Sequence, residues 1–175
     1  MYRKNVSRLR NEVWDTRNGC DAYTGSSRNA LAENQQNVDH VLEVQLVHFA
    51  AEEQLSAHRG LAERMCEVVN KPINLNVTSR EINQAKKGPF TAALNRLRKK
   101  DGCLRPICVE QLARSGRAKW LVDQGHWSLI EKEVVLSYDA VEESLQNERL
   151  TRAHAKALTL AMENLHATLE KLQLM

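Results

Sequence analysis

Apolar residues recur along most of this chain at helical intervals, and only two short stretches depart toward a β-like pattern. Val6, Leu9 and Val13 fall on one helical face beside Trp14, with basic residues opposite, which predicts a short N-terminal helix. Residues 18–37 (NGCDAYTGSSRNALAENQQN) are polar and dense in turn formers, and predict loop. Val38 to Val44 alternates loosely and is β-branched, predicting a strand or a short extended segment. From Leu46 to Val69, the residues Val47, Ala50, Leu55, Leu61, Met65 and Val69 lie near one face. They predict a long helix that Gly60 is placed to bend and Lys71-Pro72 to end, since proline disfavours helix in the residue before it.

The stretch INLNVTS reads as the second strand. Thr78 followed by Glu81 at the third position has the form of a capping box, and Gly88-Pro89 has the form of a stop. A compact helix over 79–87 is therefore expected. Phe90 to Leu97 continues as a basic helix, Pro106 opens another near 106–114, and Trp127 to Leu145 reads helical. From Thr151 on, Thr151, Ala155, Leu158, Met162, Leu165, Leu169 and Leu172 form a heptad seam. Packing of that helix on the chain's own body is the preferred reading. A homodimer or a partner protein held through 151–175 is the alternative.

The two strand-like stretches and the capped helix after the second, in a chain otherwise patterned as helix, predict an α+β fold, mainly helical, with a small two-strand-plus-helix unit, the finger, embedded in it. Of 175 residues, 42% are apolar and 27% charged, as in a water-soluble domain. Aromatics are only 5%, so Leu, Val and Ala must fill the core; seven Gly and three Pro argue against a turn-rich all-β fold. Residues 1–147 are expected to form the domain, with the finger at about 20–88 and its inserted helix at about 46–69. Residues 148–175 then form a helical extension. Cys20, Cys66, Cys103 and Cys108 make no CxxC pair, so free thiols are expected. The absence of a signal-peptide pattern and of a long apolar run suggests a soluble protein of cytoplasm or nucleus, or one delivered into a host cell.

The net charge of +3 is mild, but it is unevenly distributed. Arg3, Lys4, Arg8 and Arg10 come before any acid, and Lys86 to Lys100 contains none, whereas Glu131 to Glu148 is acidic. Such asymmetry suits a phosphate-facing side and a solvated opposite side. Arg3, Lys4, Arg8, Arg10, Lys87, Arg96, Arg98, Lys99 and Lys100 are the expected nucleic-acid contacts.

Three segments carry candidate chemistry: CDAYTG at 20–25, VDHVLEVQ at 38–45, and NLNVTSREINQAKKG at 74–88. Phosphodiester hydrolysis needs an activated water, a Lewis acid at the leaving oxygen, and neutralisation of charge at phosphorus. His40 can take a proton from water near neutral pH. Asp39 can hold a metal if the strand end turns so that both neighbours reach one site. Asn83 offers a neutral oxygen from the helix, and Lys86 and Lys87 follow on its face. One carboxylate and one amide with waters would suit a hard ion, Mg²⁺ or Mn²⁺.

The order of these residues resembles the finger of the HNH (ββα-metal) endonucleases, over about a third of the chain. The resemblance implies His40 as general base, Asp39 and Asn83 as metal ligands, and Lys86 or Lys87 on the substrate phosphate. It also implies that Asn74, the middle residue of the motif, holds the His40 ring through its carbonyl. Many members carry two Cys pairs that bind a structural zinc. Here one pair is reduced to Cys20 with Thr24, and the other is replaced around Ser79, Arg80, Glu81 and Ile82, so no structural zinc is expected.

Glu43 and Gln45 are read as supporting or surface residues. His48, His58, His126, His154 and His166 are read as structural or exposed. DNA is the expected substrate, with little sequence preference and with RNA not excluded. A finger kept as a non-catalytic nucleic-acid-binding scaffold and a helical protein-interaction module are the competing readings. A divalent-ion requirement separates the nuclease from the scaffold.

Overall fold

The structure, a computed structural model, describes residues 6–99, 106–147 and 149–175. Arg3, Lys4, Lys100 and Cys103 lie outside them. The fold is α+β and mainly helical. In chain order it runs α1 (Val6–Thr16), β1 (Gln36–His40), α2 (Val44–Ala57), α3 (Arg59–Val69), β2 (Leu75–Ser79), α4 (Arg80–Arg98), α5 (Val109–Arg114), α6 (Lys119–Asp123), α7 (His126–Gln146) and α8 (Arg152–Lys171). No helix among the described residues is long and apolar enough to cross a membrane.

The strands pair antiparallel, with Val38 opposite Val77, Asp39 opposite Asn76 and His40 opposite Leu75. A two-stranded ribbon is marginal in water by itself, so each face needs cover. Alternation along β2 supplies both kinds of face. Leu75 and Val77 pack with Val13 and Trp14 of α1, joined at the edge by Leu9, Leu31 and Val38. Asn76 and Thr78 turn the other way and are fully buried among polar partners. Arg17, just past α1, ties this end to the body. It donates to the Leu75 carbonyl and pairs with Glu133 of α7.

The inserted segment is two helices, and the break falls at His58 (φ −134°, ψ 82°) instead of at Gly60. Gly60 sits inside the first turn of α3, where an added Cβ would meet the His154 ring of α8 at 3.1 Å. Its smallness admits a neighbour and does not produce the bend.

Helix α4 also departs from expectation, running unbroken through Gly88-Pro89 to Arg98. A proline in a helix interior costs about 3 kcal/mol. Pro89, Phe90, Ala93 and Leu94 nevertheless continue the buried face begun by Ile82, Ala85 and Lys86. Burial of a Phe or Leu side chain contributes about 1.5–3 kcal/mol each, enough to carry the helix past the break. Phe90 stacks against Trp127 of α7 with ring centroids 6.0 Å apart. The cap is Ser79, whose hydroxyl accepts from the Ile82 amide; Thr78 belongs to β2.

The seam on α8 is spent inside the chain. Leu158, Met162, Leu165, Leu169 and Leu172 are buried in the main core with residues of α2, α3 and α7, while Thr151 and Ala155 are exposed. Residues 149–175 therefore belong to the same hydrophobic body as the finger's helices.

Candidate active site

Asp21 organises the loop that precedes β1. Its carboxylate accepts from the Asn76 amide at 2.7 Å, the Thr78 hydroxyl at 2.9 Å, the Thr24 hydroxyl at 3.0 Å and the Tyr23 backbone at 2.9 Å. Gly25, at φ +70°, closes the turn by donating to the Asp21 carbonyl at 2.7 Å. The loop is thereby stitched to β2 through one buried carboxylate, and Cys20 stays exposed at its edge. The Tyr23 ring is fully buried and aims its hydroxyl at Asp39 Oδ2, 2.7 Å away. Burial and the adjacent Asp39 charge hold the Tyr23 phenol well above its ordinary range, so it remains a neutral donor.

Lys86 is the centre of the site's charge balance, and its place corrects the expectation that it meets the substrate. Its ammonium is completely buried. It lies 2.7 Å from Asp39 Oδ2, 2.8 Å from Glu43 Oε1 and 2.6 Å from the His40 carbonyl. The rings of Tyr23 and Phe90 flank it at 5.5 and 5.6 Å. Burial works to lower the pKa of Lys86, but the charges of Asp39 and Glu43 outweigh burial and raise it. The ammonium therefore stays charged. A cation sealed beneath two carboxylates has no path to a phosphate in solvent.

The role expected of Asn74 is also corrected. Asn74 is fully buried, and its side chain accepts from Leu42 N at 2.8 Å and donates to the carbonyls of Leu42 and Val69 at 3.1 and 2.9 Å. Its own carbonyl takes the Val41 amide at 2.9 Å and not the imidazole. Asn74 thus staples the turn that follows His40 to the end of α3. The ring partner of His40 is Asn70, with Nε2 2.8 Å from Asn70 Oδ1.

Asp39, His40, Glu43, Asn70, Asn83 and Lys87 line one open cleft of about 470 Å³ at the end of β1. The β1–β2–α4 order explains this convergence. β1 delivers Asp39 and His40 at its last two positions, the turn after it delivers Glu43, and α4 lays Asn83 and Lys87 one helical turn apart along the wall. Asp39 is 6% exposed. Its Oδ2 is engaged by Tyr23 and Lys86, while its Oδ1 makes no hydrogen bond among the described residues. The Asn83 amide likewise makes none, and Lys87 stands exposed without an ion pair among the described residues.

One carboxylate oxygen and one amide oxygen, both bordering an open cleft, fit a hard divalent cation that keeps several waters. They are too few and too hard for a tetrahedral zinc cage. Among the described residues there is no cluster of three or more His, Cys, Asp and Glu able to hold a metal. Asp39 and Asn83, with Glu43 beside them on the same wall, are the oxygen donors of the cleft that could hold such an ion.

The expected phosphate contacts divide. Arg10 is largely covered and donates to the carbonyl and carboxylate of Glu33, each at 3.0 Å, so it is a structural tie and not a free contact. Arg8 is exposed beside Glu12. Arg96, Arg98 and Lys99 are exposed without ion pairs among the described residues. At roughly 100° per residue, Arg98 falls on the side of α4 that carries Lys87, whereas Arg96 points roughly opposite. Arg80, also exposed and unpaired among the described residues, shares the Lys87 side and was not anticipated.

Tyr23 and Asn70 are site residues the sequence reading did not include, and Glu43, read as supporting or surface, takes a supporting place against Lys86. Tyr23 lay inside a quoted segment, and Glu43 is one turn past His40. Asn70 carries no motif signal, because only the end of α3 brings it there. Comparison with protein-family models, with curated proteins and with solved structures finds no match to this chain.

Proposed function

We propose that this chain is a metal-dependent endonuclease of the HNH type, hydrolysing phosphodiester bonds of DNA. The observation that carries the reading is the convergence of Asp39, His40, Asn83 and Lys87 on one cleft from a strand end and a following helix. In this reading His40 accepts a proton from water, and the resulting hydroxide attacks phosphorus as the bond to the leaving oxygen breaks. Asp39 and Asn83 would hold one Mg²⁺ or Mn²⁺, which when bound supplies Lewis acidity at the leaving oxygen. Lys87 offsets charge at the phosphate, with Arg80 and Arg98 positioned to hold the backbone on either side.

Lys86 and Tyr23 act one layer below. They engage one oxygen of Asp39 and leave the other for the ion. Contacts of this kind grip phosphate and not base edges, which agrees with little sequence preference.

Incubation of the purified protein with supercoiled plasmid in Mg²⁺, in Mn²⁺ and in EDTA tests the reading. Conversion to nicked or linear DNA in the metal arms alone is expected. Plasmid left intact in every arm by folded protein contradicts it. Salt-sensitive DNA binding without cleavage would replace the reading with that of a non-catalytic scaffold.

A further inference from the structure

We propose that Asn70 is the positioning residue for His40, fixing the imidazole as the Nε2–H tautomer so that Nδ1 is the atom that takes the proton. The catalytic part of this inference rests on the nuclease reading; the structural part does not.

A neutral imidazole has one N–H and one lone pair, and the bond made by one nitrogen decides which of the two the other presents. His40 Nε2 lies 2.8 Å from Asn70 Oδ1. The direction of the Asn70 amide is set independently, because its Nδ2 donates to the Cys66 carbonyl, which can only accept. Oδ1 is therefore the atom facing the ring, and as a pure acceptor it requires a hydrogen on Nε2. That leaves the lone pair on Nδ1, which makes no hydrogen bond among the described residues and belongs to a residue lining the cleft with Asp39 and Asn83.

The same bond restricts rotation of the ring about its side-chain axis. Without it, both tautomers and more than one ring orientation become available, and only part of the population is aligned for proton transfer. The residue expected to hold the ring, Asn74, has its carbonyl taken by the Val41 amide and its side chain committed to Leu42 and Val69.

Asn70 sits at the C-terminal cap of α3. The inserted α2–α3 pair, which separates the two strands in sequence, would therefore contribute directly to the site. It orients the base from outside the strand–strand–helix unit.

The test is a long-range ¹H–¹⁵N correlation spectrum of histidine-labelled, metal-free protein, recorded about two pH units above the ordinary histidine value of about 6.5. His40 signals are assigned by their loss in His40→Ala. The wild type is expected to show a protonated-type Nε2 and an unprotonated-type Nδ1. Asn70→Ala is expected to show averaged values.

In plasmid cleavage, Asn70→Ala should lower kcat about 10- to 100-fold with KM within about twofold. A wild-type spectrum with the proton on Nδ1, or one unchanged by Asn70→Ala, overturns the inference. The wild-type spectrum decides it even where Asn70→Ala fails to fold. Absence of wild-type cleavage would overturn the nuclease reading alone, because the ring signature is read without turnover.

Discussion

A lysine ammonium with no exposed surface can remain charged only where fixed negative charge repays its lost hydration, and Asp39 and Glu43 do this for Lys86. Removing one member of such a group leaves the others buried and uncompensated. Lys86→Met is therefore expected to destabilise the fold by about 3–5 kcal/mol, measured by urea unfolding. A loss below about 1 kcal/mol would show that the ammonium is not needed to balance the two carboxylates.

The same residues set an alkaline limit. Lys86 and Tyr23 both have pKa values raised in the folded state. Their contribution to stability is fully present below their unfolded values, about 10.4 and 10, and is lost as pH rises through the folded values. Urea midpoints should hold between neutral pH and about pH 10 on account of these two groups and decline above it. Midpoints that increase above pH 10 would contradict the sign.

At this scale the sequence was informative about which residues meet and less so about what each does. Asp39, His40, Asn83 and Lys87, singled out by the resemblance of their order to the HNH finger, do share a cleft. Lys86 and Asn74 could not be distinguished from exposed groups, because burial and hydrogen-bond direction depend on elements far away in sequence.

Among the elements, local signals and long-range packing disagree in instructive places. Gly88-Pro89 is a valid local stop, yet α4 continues because the residues beyond it extend a face already docked on α7. The α2–α3 break is invisible at Gly60, whose role is to admit His154 of α8. β2 was legible because Leu75 and Val77 alternate with Asn76 and Thr78. β1 holds one β-branched residue, Val38, and the strand expected over 38–44 shares only 38–40 with the observed Gln36–His40, Val44 already belonging to α2.

The heptad seam is a buried apolar stripe from Leu158 onward, its first two positions, Thr151 and Ala155, being exposed, and sequence alone left two partners open for it. In the structure the stripe is covered by α2, α3 and α7. Leu165→Ala, at a fully buried seam position, should cost about 2–5 kcal/mol in urea unfolding, while Leu160→Ala, at a 45% exposed position, should stay within about 0.5 kcal/mol. Equal effects at the two positions would mean that α8 does not pack this way.

For the whole molecule, the uneven charge visible in sequence becomes one side of α4 carrying Arg80, Lys87 and Arg98 past the cleft mouth. If these three hold DNA phosphates, their combined replacement by Gln should flatten the slope of log affinity against log salt by about 2–3, measured by fluorescence anisotropy on an unrelated duplex. An unchanged slope would move the DNA to another surface.

The central claim is tested most directly by single-turnover plasmid cleavage in Mn²⁺ by wild type and His40→Ala, each first shown by titration to bind the ion with similar affinity. A rate lower by about 10²-fold or more in His40→Ala, with Mn²⁺ binding retained, is the predicted result. Equal rates in the two proteins would contradict it, because a cleft that cleaves without its histidine is not the one described.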